Sequence, residues 1–499
     1  MKMKNKWLVG FGCLALAFAV GCSSDDDETG DTGTDTGTDT GTDTGTDTGT
    51  DTGTDIGIDT GTTDCTSEVV VGGMFEDSGG DVLHLKALDM VAGDINSSGA
   101  LGGACIKIEP IMFGDGVDRF AEAKTLAEAG AIGIISQYSS SARAILRVTN
   151  NNVEEGGAVN GDQVGNGHFT HCSGSSTSTS VNQSSTAASD GLPMGDDNDA
   201  LYRGVADDHL QSQVVYTVLK DKVPAGSTVV IFYDSGDSYT NDFKDALMAL
   251  DDGTFTMVDK DHPISLAMDD AAVEALVADY GTISPAPQGL VSIGLAASAG
   301  KTMNAISSSF TGTLVVTDGQ ISDTFFDGLG ADFITWLNNE ANQVVGTTPY
   351  YEPEGDNTSA WVDRLGSLTG GATAGPDNAF TPMMADCLYQ IALAHMVGSK
   401  GGEADAVEAV YAGMQSFKVA ASEVGTRTAV APTAAGMTAA KAAIDAGDSV
   451  YLNGSSGPLL FSDVGDRHYS MQVYATLSIA NDGIAYSWAL DALWRGLEP

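Results

Sequence analysis

The sequence predicts an α/β protein with two doubly wound lobes joined by a hinge and preceded by a disordered acidic tether. Short apolar runs typical of strands alternate with segments whose apolar residues recur at helical spacing, which indicates parallel sheets covered by helices. This alternation stops in a polar stretch and then resumes, and 499 residues are too many for one hydrophobic core. Apolar residues make up 42% and charged residues 18%, as in globular proteins.

The first lobe opens with an alternating set of strands and helices. The predicted elements are a strand at 69–74, a helix carrying His84, Leu88, Val91 and Ile95, a strand at 106–113, a helix at 120–129 and a strand at 131–135. The segment 150–199 is rich in Asn, Ser, Thr and Gly, and we interpret it as loops around one strand near Phe169.

The second lobe repeats the pattern. A helix is predicted at 211–219, a strand at 228–233, a helix at 242–250, and strands at 289–293 and 312–316. We expect residues 65–208 and 350–467 to form the N-terminal lobe, and residues 209–349 and 468–499 to form the C-terminal lobe.

The amino end has the features of an export signal. Lys2, Lys4 and Lys6 precede an apolar run at 7–20, which is short for a membrane span. The small residues before Cys22 resemble the bacterial lipobox, so residues 1–21 are predicted to be a lipoprotein signal peptide and Cys22 the lipid-bearing residue. The alternative is a plain cleaved signal followed by a chance cysteine. We expect a lipid-anchored protein of the cell envelope, periplasmic or on the cell surface.

The segment 22–64 is expected to be a disordered linker. The unit Asp-Thr-Gly-Thr repeats from Asp31 to Thr54, and such a composition builds no core. The segment has thirteen acidic and no basic side chains, so self-repulsion extends it. A calcium-binding reading is disfavoured because no Asp-x-Asp-x-Asp-Gly loop with a closing Glu occurs.

The charge excludes one class of partner. The formal net charge is -46, and residues 65–499 alone carry 19 basic and 55 acidic side chains. Such a surface repels a phosphate backbone, so no nucleic-acid partner is expected.

Four cysteines follow the linker: Cys65, Cys105, Cys172 and Cys387. An even number in an exported protein suggests disulfides, with three possible pairings. Because neighbouring parallel strands start side by side, we favour Cys65 with Cys105, which leaves Cys172 with Cys387. The alternative is that all four remain thiols.

Candidate ligand groups follow the strands, because doubly wound sheets bind ligands beyond the carboxyl ends of their strands. Hydroxyl groups cluster at 136–141 and 173–177, Tyr239 lies in the loop at 234–239, and Asp318 follows the strand at 312–316. An acid opposite two hydroxyl clusters suits a zwitterion, since an ammonium pairs with a carboxylate and a carboxylate accepts from OH and NH donors. Taken singly, each residue is equally explained as a helix cap, a turn or ordinary packing.

Several segments together resemble the type I periplasmic solute-binding proteins, and in particular the branched-chain amino-acid (Leu/Ile/Val) binding proteins of ABC transporters. The resemblance runs from about Glu68 to the carboxyl end. The segments that carry it, in chain order, are 70–74, 94–96, 99–103, 139–141 and the Gly-Pro-x-x-Phe-x-x-x-Gly-Asp pattern at 457–466.

The resemblance implies roles for individual residues. Ser140 and Thr177 would hold a ligand carboxylate, Ser175 would offer its backbone carbonyl, Tyr239 would pack on the ligand and Asp318 would bind its ammonium group. The family usually has Glu at the position of Asp318 and often has aromatic residues at the positions of Leu295 and Ala296. Specificity for leucine-like side chains therefore does not follow from the resemblance.

Other chemistry is less well supported. The stretch 294–302 has five residues between its glycines, whereas a phosphate-binding loop needs four. His168 and His171 point to opposite faces of a strand, so they do not share an ion. We therefore predict no metal site and no cofactor.

The sequence thus predicts a binding protein that captures a small polar solute, with an amino acid favoured, for an ABC-type importer whose permease is the expected membrane partner. The alternative is a sensor or scavenger with the same cleft and no transporter. An enzyme ranks third, because no Gly-x-Ser-x-Gly elbow occurs and the histidines lack obvious sequence partners.

Overall fold

The structure is a computed structural model that describes residues 65–497, except 77–78, 114–116, 151–161, 184–194, 197, 263–269, 323, 328, 354, 372–374, 376–377 and 482–484. The predicted signal peptide, Cys22 and the whole linker at 22–64 lie outside the described residues. None of the helices within the described ranges is both long and apolar enough to cross a membrane.

The first main sheet has the strand order β2-β1-β3-β4-β5, and all of its pairings are parallel. Its strands are β1 (Ser67–Glu76), β2 (Ala104–Phe113), β3 (Gly133–Ser136), β4 (Thr170–Ser173) and β5 (Leu201–Arg203). The helices between them are α1 (Gly79–Ser98), α2 (Arg119–Glu128), α3 (Ser139–Thr149) and α4 (Ser180–Gln183). Every residue of β3 and β4 is buried, as expected when helices cover both faces of a parallel sheet.

The second main sheet has the order β15-β14-β10-β9-β8-β6-β7. The elements of this part of the chain, before it returns to the first sheet, are α5 (Asp208–Lys222), β6 (Thr228–Tyr233), α6 (Ser238–Ala249), β7 (Thr256–Asp261), α7 (Asp270–Tyr280), β8 (Gly289–Ser292), α8 (Ala296–Ile306), β9 (Thr313–Val316), α9 (Thr324–Asp327), α10 (Ala331–Leu337) and β10 (Gln343–Tyr350). The core strands β6, β8 and β9 are fully buried, while the edge strand β7 is largely exposed.

The chain then returns to the first part of the molecule before it finishes in the second sheet. The remaining elements are α11 (Asp356–Thr369), α12 (Thr381–Gly401), α13 (Ala406–Gln415), β11 (Thr428–Val430), α14 (Ala434–Ala446), β12 (Val450–Gly454), β13 (Gly457–Leu459), β14 (Val473–Asn481) and β15 (Tyr486–Arg495). Strands β11, β12 and β13 form a small third sheet, and the hairpin of β14 and β15 joins the second sheet antiparallel to β10.

The two-lobed α/β class is the one the sequence predicts, and the chain passes between the main sheets three times. The crossings lie between β5 and α5, between β10 and α11, and between β13 and β14. Because helices and loops of both parts meet at these crossings, the loops that follow the parallel strands of the two sheets are brought together.

Candidate ligand-binding site

A cavity of about 190 Å³ is lined by loops that follow strands of both main sheets. These loops come after β3 and β4 in the first sheet and after β6, β8 and β9 in the second. The cavity is lined by Arg119, Gln137, Tyr138, Ser139, Ser140, Ser175, Thr177, Asp234, Asp237, Tyr239, Thr240, Gly294, Leu295, Asp318, Gly319 and Phe380. All five ligand-binding residues predicted from the sequence are among them. The volume is below the ~300–1,000 Å³ of pockets for drug-sized molecules, so the site suits a small solute.

The wall contributed by the first lobe is rich in hydrogen-bond donors. Helix α3 begins at Ser139, and the side chain of its N-cap residue, Tyr138, makes no capping hydrogen bond. Its first amide groups and the positive end of its dipole therefore favour an anionic group. Ser140 Oγ accepts a 2.7 Å hydrogen bond from Nη1 of Arg119, which brings a guanidinium to the same wall. This wall is suited to a carboxylate.

The loop after β4 supports that wall from behind. Ser175 Oγ accepts a 3.0 Å hydrogen bond from the backbone amide of Tyr138. Tyr138 has a φ of 65°, a conformation that costs a non-glycine residue free energy and that occurs at functional sites. The observed contact of Ser175 is made by its side chain, whereas the resemblance assigned its backbone carbonyl to a ligand.

The wall contributed by the second lobe centres on Asp318. Its Oδ1 accepts a 2.7 Å hydrogen bond from the Tyr239 hydroxyl and a 3.0 Å hydrogen bond from Nε2 of Gln211. Burial raises the pKa of Asp318 to about 6, while the hydrogen bonds from Tyr239 and Gln211 oppose that rise. Tyr239 thus lines the cavity and also holds the carboxylate in place.

A second carboxylate, Asp208 in the first turn of α5, lies close to Asp318. It is completely buried, and neither of its carboxylate oxygens makes a well-formed hydrogen bond with any described residue. Burial raises the pKa of Asp208 well above its ordinary value, and the negative charge of Asp318 raises it further. A weaker contact with the Thr177 side chain offsets part of that rise.

Several lining residues were not predicted from the sequence. Arg119 follows β2, so it could have been predicted from the rule that ligand groups follow parallel strands. Asp237 caps α6 by accepting from the amide of Thr240 at 3.0 Å, and burial raises its pKa. Phe380 immediately precedes α12, and no strand comes just before it, so the same rule gives no signal there.

Two disulfides hold the first lobe together. Cys65 is bonded to Cys105, which ties β2 to the segment that precedes β1, and Cys172 is bonded to Cys387, which ties β4 to α12. His168 and His171 are separated, since His168 contacts Glu408 at 2.8 Å whereas His171 is buried against Ser136 at 2.5 Å. Among the described residues no cluster of His, Cys, Asp and Glu is arranged to hold a metal ion.

The two-lobed α/β fold, with a cavity lined by loops that follow the parallel strands of both sheets, is similar to the fold of the type I periplasmic binding proteins. No family model matches the sequence, and a comparison with curated proteins found no significant match. The fold comparison is extensive, however, since solved structures align with about 85% of the chain.

Three solved structures illustrate the similarity. The branched-chain amino acid transporter substrate-binding protein LivJ from Streptococcus pneumoniae, in complex with isoleucine, is 14% identical with a TM-score of 0.54 over 85% of this chain and 100% of LivJ. The leucine-binding protein LivK from Thermotoga maritima is 14% identical with a TM-score of 0.54 over 86% of this chain and 99% of LivK. An ABC-transporter solute-binding protein from Rhodopseudomonas palustris, in complex with 4-hydroxybenzoate, is 12% identical with a TM-score of 0.53 over 86% of this chain and 97% of that protein.

Proposed function

We propose that this protein is an extracytoplasmic solute-binding lipoprotein that captures a free amino acid and delivers it to an ABC-type importer. The observation that carries the proposal is the opposition of two chemically different walls in one cavity. One wall has the hydroxyl groups of Ser140 and Thr177, the guanidinium of Arg119 and the amino end of α3, and the other has the carboxylate of Asp318.

These walls match the two ends of a zwitterion. Charge-assisted hydrogen bonds are about twice as strong as neutral ones, so a ligand that carries both a carboxylate and an ammonium group gains from both walls at once. The side-chain donors Tyr239 and Gln211 both bind Oδ1 of Asp318, and the backbone amides of Asp318 and Gly319 also stabilise its carboxylate. Leu295, Tyr138 and Phe380 supply apolar surface for the ligand side chain. A protein with this function binds and releases its ligand without chemical change.

The comparisons support a transport role at the level of the class. Several of the similar solved structures are substrate- or solute-binding proteins of ABC transporters, and the ligands bound in them include isoleucine, leucine and 4-hydroxybenzoate. A plain aromatic acid has only the anionic end, so it leaves Asp318 without a cationic partner. We therefore favour an amino acid over an aromatic acid.

The ligand class is tested by a thermal-shift screen of the purified protein against the standard L-amino acids and against 4-hydroxybenzoate. A ligand present at 100 times its Kd stabilises a protein by about 2.7 kcal/mol, which is readily measured as a rise in Tm. We expect at least one amino acid to raise the Tm and 4-hydroxybenzoate to leave it unchanged. A Tm that responds to no amino acid contradicts the amino-acid assignment.

The anchor is tested separately. Metabolic labelling with a radioactive fatty acid should label the full chain in bacteria, and the Cys22→Ala variant should carry no label. Equal labelling of the two proteins would contradict lipidation at Cys22. Loss of amino-acid uptake on deletion of the gene, with rescue by the intact gene, would favour the importer over a sensor or scavenger without a transporter.

A further inference from the structure

Asp208 is a second acid next to the cavity, and the proposed binding of a zwitterion gives it no role. We propose that Asp208 and Asp318 form one paired cation site, which holds a single proton while the cleft is empty and releases it to solvent when the ammonium group of a ligand enters beside Asp318. This inference rests on the proposed function and assigns Asp208 as a positioning residue that makes the site selective for ligands with a cationic nitrogen.

The geometry of α5 brings the two acids together. Asp208 and Gln211 lie three residues apart and so share one face of the helix. Gln211 donates from that face to Oδ1 of Asp318 at 3.0 Å and to the carbonyl oxygen of Thr347 at 2.9 Å. The face that carries Asp208 is therefore fixed against the loop that carries Asp318.

The surroundings of Asp208 contain more negative than positive charge. The charged and titratable groups that act on it or are acted on by it are Asp318 from the loop after β9, Asp207 from its own segment, Asp242 and Tyr239 from α6, Arg203 from β5 and Tyr474 from β14. Arg203 is the one cation among them, and its Nε and Nη1 donate to Asp466 and to the carbonyl oxygen of Ser178.

Two buried carboxylates without a hydrogen-bonded cation are costly when both are ionised. Burial disfavours the charged form of each, and the charge of one disfavours ionisation of the other, so the pair retains one proton above the ordinary range of aspartate. Burial and mutual repulsion raise the pKa of Asp208 well above its usual value, in agreement with this expectation. An arriving ammonium group supplies the missing positive charge, and the proton is then no longer needed.

A neutral or purely anionic ligand lacks this compensation. Its binding leaves the proton on the pair, so it gains no charge-assisted contact on this wall. The pair thus discriminates against ligands that have the same carboxylate but no amine.

The test is calorimetric titration of the intact protein with the standard L-amino acids at pH 7, in two buffers of different ionisation enthalpy. The difference between the two heats gives the protons released on binding. We expect roughly one proton released by the unmodified protein and close to none by Asp208→Asn, in which Asp318 is already ionised. The control Asp89→Asn removes another acid whose pKa burial raises, on α1 outside the cavity lining, and should leave the release unchanged.

The outcomes separate this proposal from the proposed function. Binding with no proton release, or with the same release in Asp208→Asn, overturns the paired site and leaves the amino-acid assignment standing. If no amino acid binds, the proposed function fails. The acid pair is then tested by measuring the Tm of the ligand-free protein and of Asp208→Asn over a range of pH. A Tm advantage of Asp208→Asn that grows from pH 5 to pH 8 then supports the pair, and a constant difference overturns it. If Asp208→Asn does not fold, the release measured on the unmodified protein decides alone.

Discussion

Asp318 is the residue whose charge matters most for the proposed ligand. Replacing it by Asn removes the negative charge but keeps the shape, so affinity for an amino acid should fall by about 1.5–3 kcal/mol, or roughly 10- to 150-fold. Titration calorimetry of Asp318→Asn against the unmodified protein measures this loss. Unchanged affinity would contradict the ammonium role of Asp318.

The raised pKa of Asp318 also predicts a pH dependence. A carboxyl group with a pKa of about 6 is ionised at pH 7.5 and becomes neutral as the pH falls below that value. Affinity for an ammonium ligand should therefore decrease between pH 7.5 and pH 5. The stability of the ligand-free protein depends on pH in the opposite direction from the affinity. The folded state binds this proton more tightly than the unfolded state, so Asp318 lowers the free energy of unfolding as the pH rises from about 4 to 6.

Ser140 and Ser141 form a matched pair for testing the opposite wall. Ser140 lines the cavity and contacts Arg119, whereas the Ser141 hydroxyl is buried and has no hydrogen-bond partner among the described residues. Ser140→Ala should weaken amino-acid binding by about 1 kcal/mol, or roughly fivefold. Ser141→Ala should leave the Kd unchanged. Equal effects of the two substitutions on the Kd would contradict the assignment of Ser140 to the ligand.

Individual residues differ in how far the sequence predicts them. Ser140 and Asp318 are predictable from the sequence because each lies just beyond an apolar strand, where the ligand groups of a doubly wound sheet are found. Asp208 and Gln211 cannot be predicted in this way. They lie at the start of a helix after a chain crossing, and their proximity to Asp318 arises only when α5 packs beside β9 and β10. Their sequence signal is limited to paired acids at a helix start.

At the scale of elements, the packing of α12 against α13 depends on two glycines. A Cβ at Gly413 would lie 2.0 Å from the Ala394 carbonyl oxygen, and a Cβ at Gly398 would lie 1.9 Å from the Ala409 carbonyl oxygen. Real Cβ atoms do not approach so closely, so the two helices must separate if either glycine is replaced. The two glycines thus permit the closest approach of α12, which carries Cys387, to α13.

This contact gives a prediction with a control on the partner helix. Gly413→Ala should lower the free energy of unfolding by about 1–3 kcal/mol, because overpacking forces the backbone apart. Gly401→Ala, at the exposed end of α12 where a Cβ meets nothing within 4 Å, should be neutral or stabilising by up to about 1 kcal/mol. Urea denaturation of both variants checks this. Similar stability of the two would contradict the close packing.

Strands with a strong apolar pattern are predictable, and the others are not. The run at 228–233 coincides with β6 because every one of its residues is buried. β7 was not predicted, since it is an edge strand whose residues Thr256–Asp261 are half charged and largely exposed. β10 and the hairpin of β14 and β15 also escaped prediction. The strands β14 and β15 pair locally, but β10 pairs with β14 across a long stretch of sequence.

At the scale of the whole molecule, α6 bonds directly to the first lobe beside the cleft. The Asp242 carboxylate accepts from the Ser178 hydroxyl and, at 3.3 Å, from the amide of Ser180. Ser178 and Ser180 belong to the part of the chain that carries the first sheet, whereas Asp242 lies on α6 of the second. Such contacts join the two lobes beside the cleft, and closure about a hinge is a motion that two-lobed ligand-binding proteins make.

Loss of these bonds should favour the open form. Asp242→Ala is expected to increase the radius of gyration in small-angle X-ray scattering without ligand and to weaken amino-acid binding severalfold, although Asp242 does not line the cavity. Asp245→Ala, on the exposed side of the same helix, is the control and should change neither quantity. An unaltered radius and Kd in Asp242→Ala would show that these bonds do not hold the lobes together.

We expect the two lobes to bind the two charged ends of one small molecule. This expectation is tested most directly by titration calorimetry with the amino acid that binds best and with its two one-ended analogues, the amine that lacks the carboxylate and the acid that lacks the amine. The complete amino acid should bind at least about tenfold more tightly than either analogue, since each charged contact contributes about 1.5–3 kcal/mol. An acid without the amine that binds as tightly as the amino acid would contradict it.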